Sequence, residues 1–250
     1  MVSPIPAAIG LLAFTTCGMA ADHHQHVTDA SLHFTHPLLV DSPSPDDKAH
    51  LSYSFERGGH ADAHLLHAHA EYRLHPQVSL GLGIPLSYTD DHDAEVEAGN
   101  LHAVVKVANL AFADYGVLLT THLTITAPTG DAHGHHGGDH WVVTPRFGGG
   151  WRNEHWEVIA FVGANLPIHH GHNSALAECS LMRHLDPHWS VQVEFQFERS
   201  LMHAGEQSGR ITLGGLYHTH GGVSLGAGVQ LPVSDDHPDW SLITSAMMHF

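Results

Sequence analysis

Imidazole and carboxylate side chains gather at four places in this chain. His133, His135, His136 and His140 stand with Asp131 and Asp139 in the stretch APTGDAHGHHGGDH. His169, His170 and His172 lie in PIHHGHN, Asp90, Asp91, His92 and Asp93 form a third set, and Asp235, Asp236 and His237 a fourth. Neutral imidazole ligates Zn, Cu, Ni or Co ions, and adjacent carboxylates add charge or orient the rings. His-x-His-His in a glycine-rich stretch can bring two rings to one ion without strain. None of these spacings is that of a closed structural zinc site. The expectation is weak, labile metal binding with no cofactor required; the alternative is a set of solvated polar loops. His23, His24 and His26 would add an amino-terminal site if cleavage fell before Asp22.

The whole-chain charge agrees with a cation partner. Lys and Arg total 9 against 26 Asp and Glu, giving −17, and there are 29 histidines. No basic stripe exists to neutralise phosphates, which excludes nucleic acid. Hydrophobic residues make up 42% and charged residues 14%, too apolar for disorder.

Two-residue alternation shows which elements carry these loops. Val117, Leu119, Thr121, Leu123 and Ile125 alternate with Leu118, Thr120, His122, Thr124 and Thr126. Val191, Val193, Phe195 and Phe197 alternate with Gln192, Glu194, Gln196 and Glu198. Such patterns mark strands with two different faces. From residue 49 onward about twelve segments of this kind follow one another, longer than the usual ~5–6 residues. Their links alternate between short turns such as His75-Pro76 and long polar loops. Aromatics sit near strand ends, among them Tyr88, Tyr115, Trp141, Trp151, Trp156, Trp189, Tyr217 and Trp240. Short turns on one side, long loops on the other and aromatic girdles are how outer-membrane barrels are built. The fold expected is all-β: a closed antiparallel up-and-down transmembrane β-barrel of about twelve strands over residues 49–250, whose closure leaves no unpaired edge in lipid. Its partner is the lipid bilayer of the outer membrane of a Gram-negative cell. The terminal Phe250 resembles the signal read by the barrel-assembly machinery.

One face of these strands lines the lumen. It carries His67, His69, Glu71, His122, Glu178, Glu194 and Glu198, with His50, His102, Glu56 and Glu157. An acidic lumen concentrates cations and favours their passage. Lys106, Arg73 and Arg146 are the main opposing charges. The competing arrangement is an internal, salt-bridged plug with no open path. Lumenal histidines would weaken cation selectivity at pH 5 relative to pH 8.

Residues 1–20 read as a secretory signal peptide, apolar from Ala7 to Phe14 with small residues at Gly18 and Ala20. Cys17 would leave with it, so Cys179 has no disulfide partner within the chain. Residues 21–48 lack a long period and contain prolines, which predicts a flexible, His-bearing arm.

The stretches ITAPTGD, VVTPRFGGGWRNEHWEVIAFVGANLP and EYRLHPQVSLGLGIPL resemble the outer-membrane barrels assigned to transport in the phenol-degradation MetA pathway. The resemblance covers residues 49–250 and implies a barrel with a loose transport role. It supplies no catalytic or substrate-binding residues, and the histidine content departs from that family.

An enzyme is not expected. There is no His-x-Ser-Asn-Gly stretch of the outer-membrane phospholipase type, no Gly-x-Ser-x-Gly elbow and no nucleotide-binding loop. The sequence therefore points to passive passage of small cations or another small solute, with divalent transition-metal ions favoured. The alternatives are a non-conducting surface barrel that binds metal, or a secreted soluble metal-binding β-sandwich.

Overall fold

The computed structural model describes residues 32–58, 62–89, 96–130, 139–169, 171–202, 207–234 and 239–250. Its strands are β1 (Lys48–Arg57), β2 (Ala63–His75), β3 (Val78–Thr89), β4 (Val96–Ala98), β5 (His102–Phe112), β6 (Val117–Thr126), β7 (Val142–Arg152), β8 (Trp156–Pro167), β9 (Ser174–His184), β10 (Trp189–Ser200), β11 (Gln207–His218), β12 (Val223–Pro232) and β13 (Trp240–His249). Every neighbouring pair is antiparallel, β13 returns to β1, and β2 pairs β3, so the sheet closes on itself. The short β4 and β5 share one position beside β3. The result is a twelve-position closed barrel, not a sandwich. No described helix is long and apolar enough to cross a membrane.

The interruption between β4 and β5 has a local cause. The Ala127 N–H donates to the Leu101 carbonyl, and the Gly130 N–H donates to Asn100 Oδ1. This lays residues 127–130 across residues 99–101. A Cβ on Gly130 would lie 2.6 Å from the Ala98 carbonyl oxygen, so glycine alone permits that approach.

The faces fall as the alternation requires. Leu82 and Val162, each 61% exposed, belong to an apolar outer surface. Trp156, Trp189 and Tyr217 ring the short-turn end, and Phe55, Trp141 and Trp240 ring the long-loop end. Trp189 packs on Tyr217 at 4.9 Å between ring centroids, and Phe55 on Trp240 at 5.6 Å. The exposed Cys179 faces outward with Ala177 and Leu181.

One expectation fails. The arm is not loose over residues 32–47: Phe34, Leu38, Val40 and Asp46 are each at most 2% exposed. This segment folds inside the barrel, in the half nearer the short turns. Residues 1–20, expected to be a signal peptide, and residues 21–31 lie outside the described residues.

Candidate functional site

The inner wall and the segment inside it form the site. Apolar side chains anchor the segment first. Phe34 packs with Val40, Ala108, Leu118, Ile159 and Phe161. Its ring lies over Gly150, where a Cβ would come within 2.4 Å of it. Leu38 packs with Met182 and Leu216 and fills space above Gly214, Gly226 and Gly228. These contacts remove apolar surface from water.

Carboxylates of the wall then take up the segment's backbone donors. Glu194 accepts N–H bonds from Leu38 at 2.8 Å, Leu39 at 3.0 Å and Val40 at 2.7 Å. Glu157 accepts from the Thr35 N–H at 2.8 Å and the Thr35 hydroxyl at 2.9 Å. Glu71 accepts from the Asp46 N–H at 3.1 Å. An irregular segment has no strand partner, so its buried N–H groups need such acceptors.

Two buried ammonium groups balance the acids. Lys106 lies 3.1 Å from Glu71 and 3.3 Å from Asp41, and Lys48 lies 3.0 Å and 3.4 Å from the same two carboxylates. Burial alone would raise the Asp41 pKa; Lys106 and Lys48 hold it well below the usual carboxylate range. Burial, reinforced by Lys48, lowers His36 to about 3 against the pull of Asp46, so His36 is neutral at pH 7. Burial also opposes ionisation of Asp46, but hydrogen bonds from His33 and His36 keep it ionised.

Above this segment, toward the long loops, the lumen is polar. Arg146 pairs with Glu178 at 3.1 Å, Glu198 accepts from Asn165 at 2.9 Å, and Arg210 approaches Glu56 at 3.5 Å. Beside the segment lies a cavity of about 210 Å³ lined by Asp41, His50, His67, His69, His102 and Arg146. The rings of His67, His69 and His102 stack, with centroids 5.0–6.3 Å apart, and the Nε2 atoms of His67 and His102 are 3.3 Å apart. Gly81 and Gly83 of β3 leave room for these ring tips.

All seven lumenal residues singled out by sequence face inward. Glu71, His122 and Glu194 are closed off beneath the segment, at no more than 1% exposure. His67, His69, Glu178 and Glu198 face the cavity or the lumen above it. Of the loop sets, Asp131, His133, His135, His136, His92 and His170 lie outside the described residues, as do Asp90, Asp91, Asp93, Asp235, Asp236 and His237. Asp139 contacts His140. His140 lies against Gly171, where a Cβ would be 3.5 Å from its ring, so the loop ending at His140 meets the loop of His169 and His172. Sequence reasoning missed Phe34, Leu38, Asp41, Asp46 and a rim cluster of His33, His36 and His249. One signal was available: β8 is apolar on both faces, with Ile159 and Phe161 inward opposite Val158 and Val162, so something apolar must sit inside.

No protein-family model and no curated protein sequence matches the chain. Solved structures do. The COG4313 outer membrane channel from Pseudomonas putida F1 superposes with a TM-score of 0.62 at 15% identity, over 83% of this chain and 96% of that one. A KdgM porin superposes with a TM-score of 0.61 at 8% identity, over 81% of this chain and 99% of that one. The fold is therefore that of outer-membrane β-barrels. The comparisons reach neither the MetA assignment nor any substrate.

Proposed function

We propose that this chain is an outer-membrane channel for small cations, closed by its own N-terminal segment. The observation that carries the reading is the placement of residues 32–47: they fill the short-turn half of a barrel whose remaining lumen is polar and acidic. The apolar outer face with two aromatic rims suits the bilayer, and the fold is shared with an outer-membrane channel and a porin. Passage is passive and requires the segment to withdraw. The acidic lumen then draws cations in.

Divalent transition-metal ions are the favoured cargo. Two imidazoles on one tetrahedral ion, with bonds of ~2.0–2.1 Å, place their nitrogens about 3.3 Å apart. The 3.3 Å between His67 Nε2 and His102 Nε2 suits such transient coordination. His50 and His69 line the same cavity. The filled lumen also supports a second reading, a non-conducting barrel that binds metal at the surface.

Planar-bilayer recordings separate the two. The chain lacking residues 22–46 should conduct steadily and pass K⁺ in preference to Cl⁻, while the intact mature chain stays mostly closed. A deletion variant that folds, shifts on heating in electrophoresis and still carries no current refutes the channel.

A further inference from the structure

The closing segment meets the last strand at the short-turn rim, where three histidines and an aspartate converge. His33 Nδ1 lies 2.9 Å from Asp46 Oδ1, and His36 Nε2 lies 2.6 Å from Asp46 Oδ2. The His249 ring lies 5.5 Å from the His33 ring and 5.2 Å from the His36 ring, centroid to centroid. One ligand atom from each of the four residues lies within 4.8 Å of the other three. We propose that His33, His36, Asp46 and His249 form a binding site for one divalent transition-metal ion that fastens the closing segment to the barrel wall.

Several features of the site fit such an ion. Three imidazoles and one carboxylate suit Zn, Co, Ni or Cu in preference to Mg or Ca. Ligand nitrogens and oxygens around a tetrahedral ion stand about 3.3 Å apart. The two contacts to Asp46, at 2.9 and 2.6 Å, and the 4.8 Å limit on the remaining ligand pairs bracket that spacing. Asp46 is fixed in place by its own N–H, which donates to Glu71 at 3.1 Å. The backbone of His249 is held by β13, in register with Lys48 of β1. His33 has a side chain 47% exposed, which leaves a path from solvent.

The second ring nitrogen of His36 adds a condition. Its Nδ1 accepts from Lys48 at 2.9 Å, so the ring proton sits on Nε2 and is donated to Asp46. Metal binding at Nε2 moves that proton to Nδ1, with no net proton released by this ring. The Lys48 ammonium then turns to Glu71 and Asp41, already 3.0 Å and 3.4 Å away.

The arrangement has a consequence for gating. Three ligands belong to the segment and the fourth to the barrel, so the ion bridges the part that must leave and the part that stays. Metal in the compartment facing the short turns would hold the channel shut. This role rests on the segment being the closure; the existence of the site does not.

The test uses the full mature chain, refolded in detergent, with Co²⁺ as probe. One equivalent should give the intense visible absorption of a tetrahedral N/O site, and excess Zn²⁺ should bleach it. His249→Ala removes the one ligand that lies outside the segment, and His33→Ala removes the exposed ligand. Each should weaken this binding roughly tenfold or more. A variant with His133, His135 and His136 all changed to Ala should keep the first equivalent, because the residues that flank them, Gly130 and Asp139, are at the other end of the barrel. Co²⁺ titrations unchanged by both His249→Ala and His33→Ala overturn the site. Fastening is read by hydrogen exchange: Zn²⁺ should slow exchange at residues 34–46 in the intact chain and not in His249→Ala. Equal exchange with and without Zn²⁺ overturns the clamp. Neither readout requires current, so failure of the channel reading would be seen separately, in the deletion recordings.

Discussion

Replacing Phe34 by alanine should release the closing segment while leaving the barrel intact. Phe34 is fully buried, in a pocket formed by Val40, Ala108, Leu118, Ile159 and Phe161. An aromatic side chain hides about 150–250 Å² of surface, which at ~25 cal/mol per Å² is about 4 kcal/mol at the lower end. Large-to-small changes of this type cost about 3–5 kcal/mol once the residual cavity is included. Because the pocket wall, Val40 apart, belongs to strands paired to one another, the loss falls mainly on docking of residues 32–47. A weakening of 3–4 kcal/mol multiplies the undocked fraction by about 10²–10³. Native-state hydrogen exchange reads that fraction directly: protection of the Leu38, Leu39 and Val40 amides should fall by this factor, while amides of β6 through β10 keep theirs. Bilayer recordings of the same variant should show more frequent openings. Val162→Ala, on the outer face, is the control and should change neither. If Phe34→Ala leaves protection of residues 38–40 within threefold of the parent, the segment is not held by this pocket and the reasoning fails.

Gly150→Ala should act in the same direction by crowding: its Cβ would stand 2.4 Å from the Phe34 ring, for a cost of about 1–3 kcal/mol, read as faster exchange over residues 33–36 with the barrel band in electrophoresis unchanged. Lys106→Met should lower the temperature at which that band shifts, because Glu71 and Asp41 lose a fully buried counter-charge; about 3 kcal/mol is expected, the low end for breaking a buried pair, since Lys48 still serves both. In the chain lacking residues 22–46, Glu157→Gln combined with Glu194→Gln should shift the reversal potential in a KCl gradient toward zero, and an unchanged potential would show that these carboxylates do not set selectivity. In that same truncated chain, where the segment no longer buries His69 and His102, the gradient should give weaker cation selectivity at pH 5 than at pH 8, and an unchanged potential would show that these rings do not line the path.

The barrel was legible because it is written locally. Each strand repeats one two-residue pattern, and each turn announces itself within a few residues. The inward positions of His67, Glu178 and Glu198 followed from that pattern alone. The closing segment was illegible for the opposite reason: residues 32–47 carry no period, and what holds them is scattered along the chain. Leu38 finds its acceptor 156 residues away, in Glu194. Its space is made by Gly214, Gly226 and Gly228, which in sequence look like ordinary strand glycines. The rim cluster was hidden likewise, because His249 joins His33 and His36 only once β13 has closed against β1. The loop histidines drew attention through density, yet density alone does not set geometry; His140 meets the loop of His169 and His172 through tertiary packing that no spacing rule contains.

The division of labour between barrel and segment explains how a filled lumen can still belong to a channel. The closed sheet is built by pairing strand with strand, and no strand of it pairs with residues 32–47. Apart from Asp47, which accepts from the Arg73 and Phe250 N–H groups, the segment is bound by side chains of the wall: two apolar pockets, three carboxylates, a pair of lysines and Arg152. Buried ion pairs of this kind return little net free energy when formed, because desolvating the ions offsets their attraction. They do penalise any arrangement that leaves one of them alone. The docking free energy therefore comes chiefly from Phe34, Leu38 and the backbone bonds to Glu194 and Glu157, while Lys48, Lys106, Asp41 and Glu71 fix which way the segment sits. Withdrawal exposes those charges to water entering the lumen, so the wall regains hydration as the segment leaves and the barrel's own hydrogen bonds are untouched. A closure built from strand pairing would have had to break the barrel in order to open it.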